Sequence, residues 1–391
     1  MGNFLNFLVY KKENDMNKLL IKNGFVIDTL QNVNGIQDVN ISNGHIVENS
    51  LCDIDSVVID ATDCYVFPGL IDFHTHLYDG SAFGINPDLL LACGVTTAVD
   101  AGSAGWINFK NFFNKTILQK MIHLRAFVNV SGVGMPGAGI NEPLDMSAID
   151  WNKLELLFER YKDVLVGLKI RISKSIVKEQ GINPLINTFE FAHKRKIRVC
   201  VHVTDPVAPF EEILPLFQKG DIFCHVFQGD GYTLLDDQSN VIKEAWAARK
   251  RGVLFDACNG KTNFSYKIAK EALSQGFSPD IISSDQTTAN FNLPQYVKCL
   301  PYVMSKYISM GMDLKDIIKA TTEVPAKILG MEGKIGTLSL GANGDVTICK
   351  LINKNVSYKD AQGILHYGKQ VLVPVMTILQ GNIVYCNPAF N

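Results

Sequence analysis

The sequence predicts an α/β fold in which a (β/α)8 barrel of the TIM type carries a small β-sandwich domain built from both ends of the chain. Three observations predict this fold. Apolar segments of strand length alternate with amphipathic segments through the middle of the chain, which is typical of parallel β/α units. Both chain ends instead contain short strands separated by tight turns. The length of 391 residues accommodates a barrel of roughly 250 residues and a smaller unit.

The two chain ends are alike in their pattern of strands and turns. Asn23-Gly24 and Asn43-Gly44 lie between short apolar segments near the amino terminus, and Gly381-Asn382 does so near the carboxyl terminus. Asn-Gly between such segments is a strong hairpin signal. We therefore assign the chain to a β-sandwich domain, a barrel and an N-terminal extension, which cover residues 17–66 with 335–391, residues 67–334 and residues 1–16 respectively.

Eight segments in the middle of the chain have the composition and length of buried strands. They cover residues 66–76, 96–101, 124–130, 164–172, 197–203, 221–226, 252–257 and 280–285. Amphipathic segments that predict helices lie between and after them, at residues 106–119, 182–196, 209–219, 241–250, 264–275 and 293–310. Eight parallel strands are the number that closes a TIM-type barrel.

Charge and cysteine content exclude several classes of protein. The 39 acidic and 37 basic residues nearly cancel, so nothing predicts a nucleic-acid or membrane-binding surface, and a small-molecule substrate is expected. The nine cysteines include no Cys-x-x-Cys pair, which argues against a zinc ribbon or a disulfide framework. Free thiols favour a reducing, cytoplasmic location. The sequence leaves a homo-oligomer open.

Two histidines one residue apart, His74 and His76, end the first predicted strand. Side chains two residues apart on a strand point to the same face, so both imidazoles can bind one metal ion. Other residues that can bind metals fall at the ends of later predicted strands, and these are Lys169, His202, His225 and Asp285. TIM-type barrels carry their chemistry at the carboxyl ends of the strands. Each residue alone has an ordinary structural explanation, but together they predict a metal centre.

The motifs around these residues resemble those of the amidohydrolase superfamily over about residues 19–385. In chain order they are Pro-Gly-Leu-Ile-Asp-Phe-His-Thr-His at 68–76, Gly-Val-Thr-Thr at 94–97, Gly-Leu-Lys-Ile-Arg at 167–171, Val-His-Val at 201–203, Cys-His-Val at 224–226, Ser-Ser-Asp at 283–285, Gly-Thr-Leu at 336–338 and Gly-Ala-Asn-Gly-Asp at 341–345. Within the superfamily the chain is most similar to the branch of metal-dependent amidohydrolases and deacetylases related to dihydroorotase.

The resemblance implies a centre of two divalent metal ions, usually zinc. It implies that His74, His76 and Asp285 hold the first ion and that His202 and His225 hold the second. A carbamate formed from Lys169 and CO2 then bridges both ions together with a hydroxide. Neutral imidazoles and carboxylates suit zinc. An ammonium group has no lone pair for a metal ion, so the lysine has to lose its proton before it takes up CO2.

The reaction implied by the resemblance is hydrolysis of an amide or ester, as in deacetylases that act on acyl amino acids or acyl hydroxy acids. The bridging hydroxide would attack the carbonyl carbon, and Asp285 would carry its proton to the leaving group. One alternative is a ring-opening hydrolase, either a dihydroorotase-like cyclic amidase or a lactonase. A mononuclear purine deaminase is disfavoured by Lys169, and a non-catalytic scaffold is disfavoured by the six intact ligand positions.

Three residues near the predicted centre are candidates for substrate binding. Arg171 lies two residues after Lys169 on the same strand face, where it could hold a substrate carboxylate or form a structural ion pair. Tyr78 closely follows the His-x-His pair, where dihydroorotases usually place an arginine, which argues against a dihydroorotase. Asn259 lies just after the seventh predicted strand, in a stretch where relatives commonly have a histidine.

Overall fold

Seventeen strands are present in the computed structural model, which describes residues 18–48, 56–137, 139–140, 142–291, 293, 295–388 and 390. The predicted extension at 1–16 lies outside the described residues. In chain order the strands are β1 Lys18–Lys22, β2 Phe25–Asp28, β3 Val33–Ile36, β4 Val39–Ser42, β5 His45–Val47, β6 Val57–Asp60, β7 Tyr65–Pro68, β8 Leu70–Thr75, β9 Val95–Gly105, β10 His123–Asn129, β11 Leu165–Arg171, β12 Val199–His202, β13 Ile222–Cys224, β14 Leu254–Asp256, β15 Val346–Lys359, β16 Leu365–Leu379 and β17 Asn382–Cys386.

Strands from both chain ends form two sheets that share one apolar core. A four-stranded sheet has the order β5-β4-β1-β6, and a six-stranded sheet has the order β17-β16-β15-β7-β2-β3. Ile21 and Ile41 from the first sheet lie in the same buried cluster as Val66, Ile348 and Ile378 from the second. Alternate side chains along these strands point into the shared core, which removes their apolar surface from water. The predicted pairing of the two ends is confirmed, while the assigned domain boundaries stay a prediction.

The barrel is built on a curled sheet of seven parallel strands in the order β14-β13-β12-β11-β10-β9-β8. The eighth predicted strand, 280–285, closes the circle between β14 and β8 through its backbone. Ala257 N donates to Ile281 O over 2.9 Å on one side, and Asp285 N donates to His74 O over 2.8 Å on the other. The predicted barrel class is confirmed, and it brings the carboxyl ends of all eight segments to one rim.

The eighth segment is not a regular strand, which corrects the prediction for residues 280–285. Ser284 N donates to a carboxylate oxygen of Asp72 over 3.0 Å instead of to a backbone carbonyl of the neighbouring strand. Asp285 then has a φ of +52°, in the left-handed region that interrupts an extended ladder. The hydrogen bond from Ser284 N to Asp72 and the backbone turn at Asp285 therefore replace regular strand pairing at the position of the Asp285 carboxylate.

The first predicted strand, 66–76, is divided in two. Its start, β7, lies in the six-stranded sheet of the chain ends, and its remainder, β8, lies in the barrel. Gly69 separates them and donates its backbone N–H to Asp345 O over 2.7 Å. A Cβ atom at this position would overlap the side chain of Thr96, so only glycine allows the chain to pass between the two sheets here.

Ten α-helices surround the sheets within the described part of the chain. They are α1 Phe109–Lys115, α2 Trp151–Arg160, α3 Lys174–Val177, α4 Asn183–Lys194, α5 Phe210–Ile213, α6 Lys243–Arg251, α7 Tyr266–Ser274, α8 Leu300–Ser309, α9 Leu314–Thr321 and α10 Glu323–Ile328. The segment predicted at 293–310 is helical only from Leu300, because Pro301 fits best in the first turn of a helix. No described helix has the length and apolar character needed to cross a membrane.

Candidate active site

His74 and His76 lie at the end of β8 with Asp285 from the eighth segment beside them. His76 Nε2 is 3.2 Å from Asp285 Oδ1, and His74 Nε2 is 3.9 Å from the same oxygen. One donor atom from each of the three residues lies within 4.8 Å of the other two, and all three residues are buried. Two imidazoles and a carboxylate at this spacing can hold a divalent metal ion.

Lys169 projects from β11 into the same group of side chains. Its Nζ atom lies 3.2 Å from His74 Nε2, and the residue is only 1% exposed. Gly102 provides the space for this lysine, since a Cβ atom at position 102 would overlap the Lys169 side chain. A long cationic side chain is rarely buried to this extent without a partner of opposite charge.

His202 and His225 complete the group from the neighbouring strands β12 and β13. Their ring centres are 4.4 Å apart, and the His225 ring centre is 5.4 Å from that of His74. His225 Nδ1 bonds Cys258 O over 2.9 Å, which leaves Nε2 as the nitrogen available to a metal ion. The structure thus brings all six predicted ligand residues to one place on the barrel rim.

Three residues at this rim have left-handed backbone conformations. The φ angles are +60° at His225, +36° at Cys258 and +52° at Asp285. A non-glycine residue in this region costs of order 1–3 kcal/mol and persists only where the surrounding structure enforces it. Strain at the ends of three successive barrel segments indicates a functional site, because the strained residues present side chains to the same space.

Burial favours the uncharged form of His76, His202 and His225, whereas hydrogen bonding with Asp256 raises the pKa of His74 despite its burial. The neighbouring imidazoles keep the Asp285 carboxylate charged. Burial lowers the pKa of His225 to about 3 and also lowers the pKa values of His202 and His76. Burial alone would raise the pKa of Asp285, but the hydrogen bond from His76 and the nearby imidazoles outweigh it and hold this pKa below its usual range. Neutral imidazole and ionised carboxylate are the forms that bind metal ions.

Lys169 is buried beside the metal-ligand candidates without direct contact with a carboxylate of the described residues. Among the described residues no carboxylate oxygen lies within 4.0 Å of its Nζ atom. A sulfur atom, Cys200 Sγ, lies 3.7 Å away, but burial raises the pKa of the neighbouring Cys224 to about 11, and it also raises that of Cys200. These thiols are uncharged at neutral pH and provide no counter-ion. The imidazole and carboxylate donors beside this lysine fit a divalent metal ion.

A cavity of about 300 Å³ opens above this group. Besides the metal-ligand candidates its walls include Arg171, Lys261, Asn263, Phe83 and Met135. Arg171 Nη1 donates to Glu142 Oε1 over 2.7 Å, so this arginine forms the structural ion pair that the sequence left open. Its Nε atom, however, is buried without a hydrogen-bond partner among the described residues. The arginine therefore retains a donor for a ligand while Glu142 holds its position.

The structure does not bring Tyr78 and Asn259 to the walls of this cavity. Tyr78 is 4% exposed, and its hydroxyl accepts a hydrogen bond from Asn111 Nδ2 over 2.9 Å beside α1. The Asn259 side chain is fully buried and donates to Ser283 O over 3.2 Å. Both residues follow strand ends in sequence, but their side chains turn into the protein interior instead of toward the metal-ligand candidates.

Sequence reasoning missed the residues that hold the histidine ligands in place. Cys258 Sγ lies 2.8 Å from His74 Nδ1 and donates to Asp256 Oδ2 over 2.9 Å, so the thiol links the imidazole to a buried carboxylate. On the other histidine, His76 Nδ1 is 2.9 Å from Ser103 Oγ. Partners of this kind set the tautomer and the orientation of a metal-bound imidazole. The sequence signal for these partners was the pair Asp256 and Cys258, two residues apart at the end of the seventh strand.

A profile of the amidohydrolase family matches residues 65–384. The chain belongs to the amidohydrolase family. This amidohydrolase is 31% identical to a deacetylase of Enterococcus faecalis over 324 residues, which cover 82% of this chain and 86% of the relative. It is therefore a hydrolase, as predicted, and buried clusters of His, Asp and Cys side chains give it the character of a metal-dependent one.

Two solved structures extend the comparison to nearly the whole amidohydrolase chain. A crystal structure of a dihydroorotase has a TM-score of 0.87 at 27% identity, covering 95% of this chain and 98% of the other. A crystal structure of an adenine deaminase has a TM-score of 0.86 at 29% identity, covering 95% of this chain and 100% of the other. Structures with this fold therefore carry differently named activities, so the activity has to be inferred from the residues that line the cavity.

Proposed function

We propose that this amidohydrolase uses two divalent metal ions, with zinc as the expected metal, to hydrolyse the acyl amide or ester bond of a small molecule. The observation that carries the proposal is the convergence of four buried imidazoles and one ionised carboxylate around a buried lysine, which has no carboxylate oxygen of the described residues within 4.0 Å. The similarity to a deacetylase favours an acyl group such as acetyl.

His74, His76 and Asp285 would hold the first ion, His202 and His225 the second, and Lys169, as its carbamate, would bridge them. Bound ions of this kind lower the pKa of a water molecule toward 7 and polarise a carbonyl group. A carbamate would be an anionic oxygen ligand, and the position of Lys169, 3.2 Å from a histidine and without a described carboxylate in contact, supports this role.

Asp285 would move the proton that hydrolysis has to transfer. Its Oδ2 atom accepts a hydrogen bond from Asn263 Nδ2 over 2.8 Å, which fixes the carboxylate at the cavity wall. The lowered pKa of Asp285 keeps it ionised, so it can accept a proton from the attacking water. The same group would then deliver that proton to the leaving nitrogen or oxygen.

The charge of the cavity favours a substrate that carries a carboxylate near the bond to be cleaved. Arg171 and Lys261 both line the cavity. Guanidinium and ammonium groups hold carboxylates well in partly buried sites. Acyl amino acids and acyl hydroxy acids have this charge next to the reacting carbonyl. A cyclic amide is the second candidate, favoured by the likeness to a dihydroorotase structure.

A substrate screen tests the proposal directly. Enzyme loaded with zinc or manganese would be assayed against acyl derivatives of L- and D-amino acids, acyl hydroxy acids, cyclic amides, lactones and adenine. We expect hydrolysis of open-chain acyl compounds bearing a carboxylate, and loss of activity after chelation. Hydrolysis of the cyclic compounds alone would favour the ring-opening enzyme, and release of ammonia from adenine with one metal ion per chain would favour the deaminase.

The thiol between His74 and Asp256 provides a further prediction. We expect Cys258→Ala to weaken metal binding about 10-fold to 100-fold, because the imidazole loses the partner that orients it. Competition with a chelator, followed by metal analysis, measures the affinity. Cys64→Ala is the matched control, since Cys64 is buried in the core of the terminal sheets and contacts none of the ligands. Equal metal affinity in the two variants would contradict the role assigned to Cys258.

Lys261 allows a separate test of carboxylate binding. Its side chain is exposed and lines the cavity, so Lys261→Ala removes one charge without disturbing the core. We expect KM for a carboxylate-bearing substrate to rise about fivefold with kcat nearly unchanged, as for a partly solvated ion pair. Lys267→Ala, at an exposed position on α7, is the control. An unchanged KM would contradict carboxylate binding by this lysine.

A further inference from the structure

A second cavity, of about 700 Å³, lies at the end of the barrel opposite the candidate active site. It opens across the amino-terminal ends of β10 to β13, and the turn at residues 328–331 after α10 forms another wall. None of the six metal-ligand candidates lines it. Its volume falls in the range of pockets that hold small organic ligands.

The walls of this second cavity are cationic, although the whole chain has a formal charge of −2. Its cations are Arg125, Lys162, Lys196, Arg198 and Lys219. Its carboxylates are Asp163 and Asp221, so five positive and two negative groups leave an excess of three positive charges with histidine neutral. Such a concentration of one sign in a concave wall raises the local concentration of anions.

One of the two carboxylates is already engaged. Asp221 Oδ2 accepts hydrogen bonds from His193 Nε2 and from Gln218 N, both over 2.8 Å. Its Oδ1 atom accepts a third from Val199 N over 2.9 Å. Asp221 therefore supports the strand ends and the histidine, and its charge offsets only part of the cost of burying Arg198.

The two arginines are partly buried and have no carboxylate partner. Arg198 Nη1 donates to Ile328 O over 2.6 Å, and Arg125 Nη2 lies 3.3 Å from Met331 Sδ, so both guanidinium groups face the turn after α10. No carboxylate oxygen of the described residues lies within 4.0 Å of either one. Burial lowers the pKa of both side chains. An anion between them would compensate the loss of hydration.

We propose that this second cavity binds a small phosphorylated organic anion. Phosphate oxygens match the fork of donors on a guanidinium group, and the lysines around the cavity suit a ligand with more than one negative charge. Phe158 and Met331 offer apolar surface for the organic portion. The cations converge in one cavity instead of following a long stripe, which favours a small molecule over a nucleic acid. The site is separate from the hydrolytic centre and does not depend on the proposed reaction.

Calorimetric titration of the full chain with ADP, pyrophosphate and inorganic phosphate at 0.15 M salt tests the proposal. We expect saturable ADP binding with Kd below about 1 mM. The double variant Lys162→Ala/Lys219→Ala removes two exposed side chains, and we expect it to weaken ADP binding about 10-fold. Arg198→Gln tests the buried contact. Lys243→Ala, whose side chain is 92% exposed on α6, is the control and should bind as the wild type does.

Three results would overturn the proposal. The first is the absence of saturable binding by all three anions. The second is equal ADP affinity in the wild type and the double lysine variant, which would place the anion elsewhere, for example at the hydrolytic centre. The third is pyrophosphate binding as tightly as ADP, which would contradict a subsite for the organic portion. Circular dichroism of each variant confirms that a lost affinity does not reflect unfolding.

Discussion

Replacing Lys169 with alanine is expected to abolish hydrolysis, and short carboxylic acids such as acetate or propionate are expected to restore part of it. The lysine side chain is buried and lies 3.2 Å from His74 Nε2 without a carboxylate partner. Truncation leaves a space in which a small carboxylate can take the place of the proposed carbamate as an anionic ligand. Initial rates measured across a concentration series of each acid would show a saturable recovery.

A second substitution separates the charge of Lys169 from its volume. Lys169→Met retains most of the side chain but cannot form a carbamate, so we expect it to be inactive and not to respond to added acids. Metal analysis should find fewer ions in both variants than in the wild type. Full activity of Lys169→Ala without any added acid would refute the bridging role, and a metal-free wild type would support the non-catalytic scaffold.

Asp285→Asn is expected to lower kcat by roughly two to four orders of magnitude, the usual range for a general acid or base. The amide has nearly the same shape as the carboxylate and can still accept from Asn263 through its oxygen, so we expect metal binding to be largely retained. Measuring kcat together with metal content distinguishes a lost proton transfer from a lost ion. Near-full activity would show that another group moves the proton.

A matched control for this substitution lies in the β15–β16 turn. Asp360 is also buried, and it accepts a hydrogen bond from Tyr266 N over 3.1 Å, but it does not line the cavity. We expect Asp360→Asn to lower the melting temperature without changing kcat. If both variants lost activity in parallel with stability, the effect at Asp285 would be structural and not catalytic.

Local sequence patterns predicted much of this protein because the responsible interactions are local. Period-two alternation placed His74 and His76 on one strand face, and the rule that barrel chemistry lies at strand ends selected His202 and His225 from separate strands. The family resemblance added the expectation of a bridging lysine. These predictions needed only the identity of a strand and its direction, which composition and turn signals indicate.

Other features depended on contacts between distant parts of the chain. The orientation of Tyr78 toward Asn111 and the link from His74 through Cys258 to Asp256 join residues that are far apart in sequence. The replacement of the eighth strand by side-chain pairing depends on Asp72 and Ser284. The periodicity of apolar residues predicts which face of a strand or helix a residue occupies, but it does not predict which residues pack against that face.

The sequence by itself determined the fold class, the family resemblance and the six candidate ligands, since each follows from spacing along the chain. Only the tertiary structure decided which side chains line the hydrolytic cavity, which partners orient the imidazoles and where unpaired cations gather at the opposite end of the barrel. The physical reason is that burial and electrostatic pairing depend on distances between side chains. Those distances exist only after the strands have closed into a barrel.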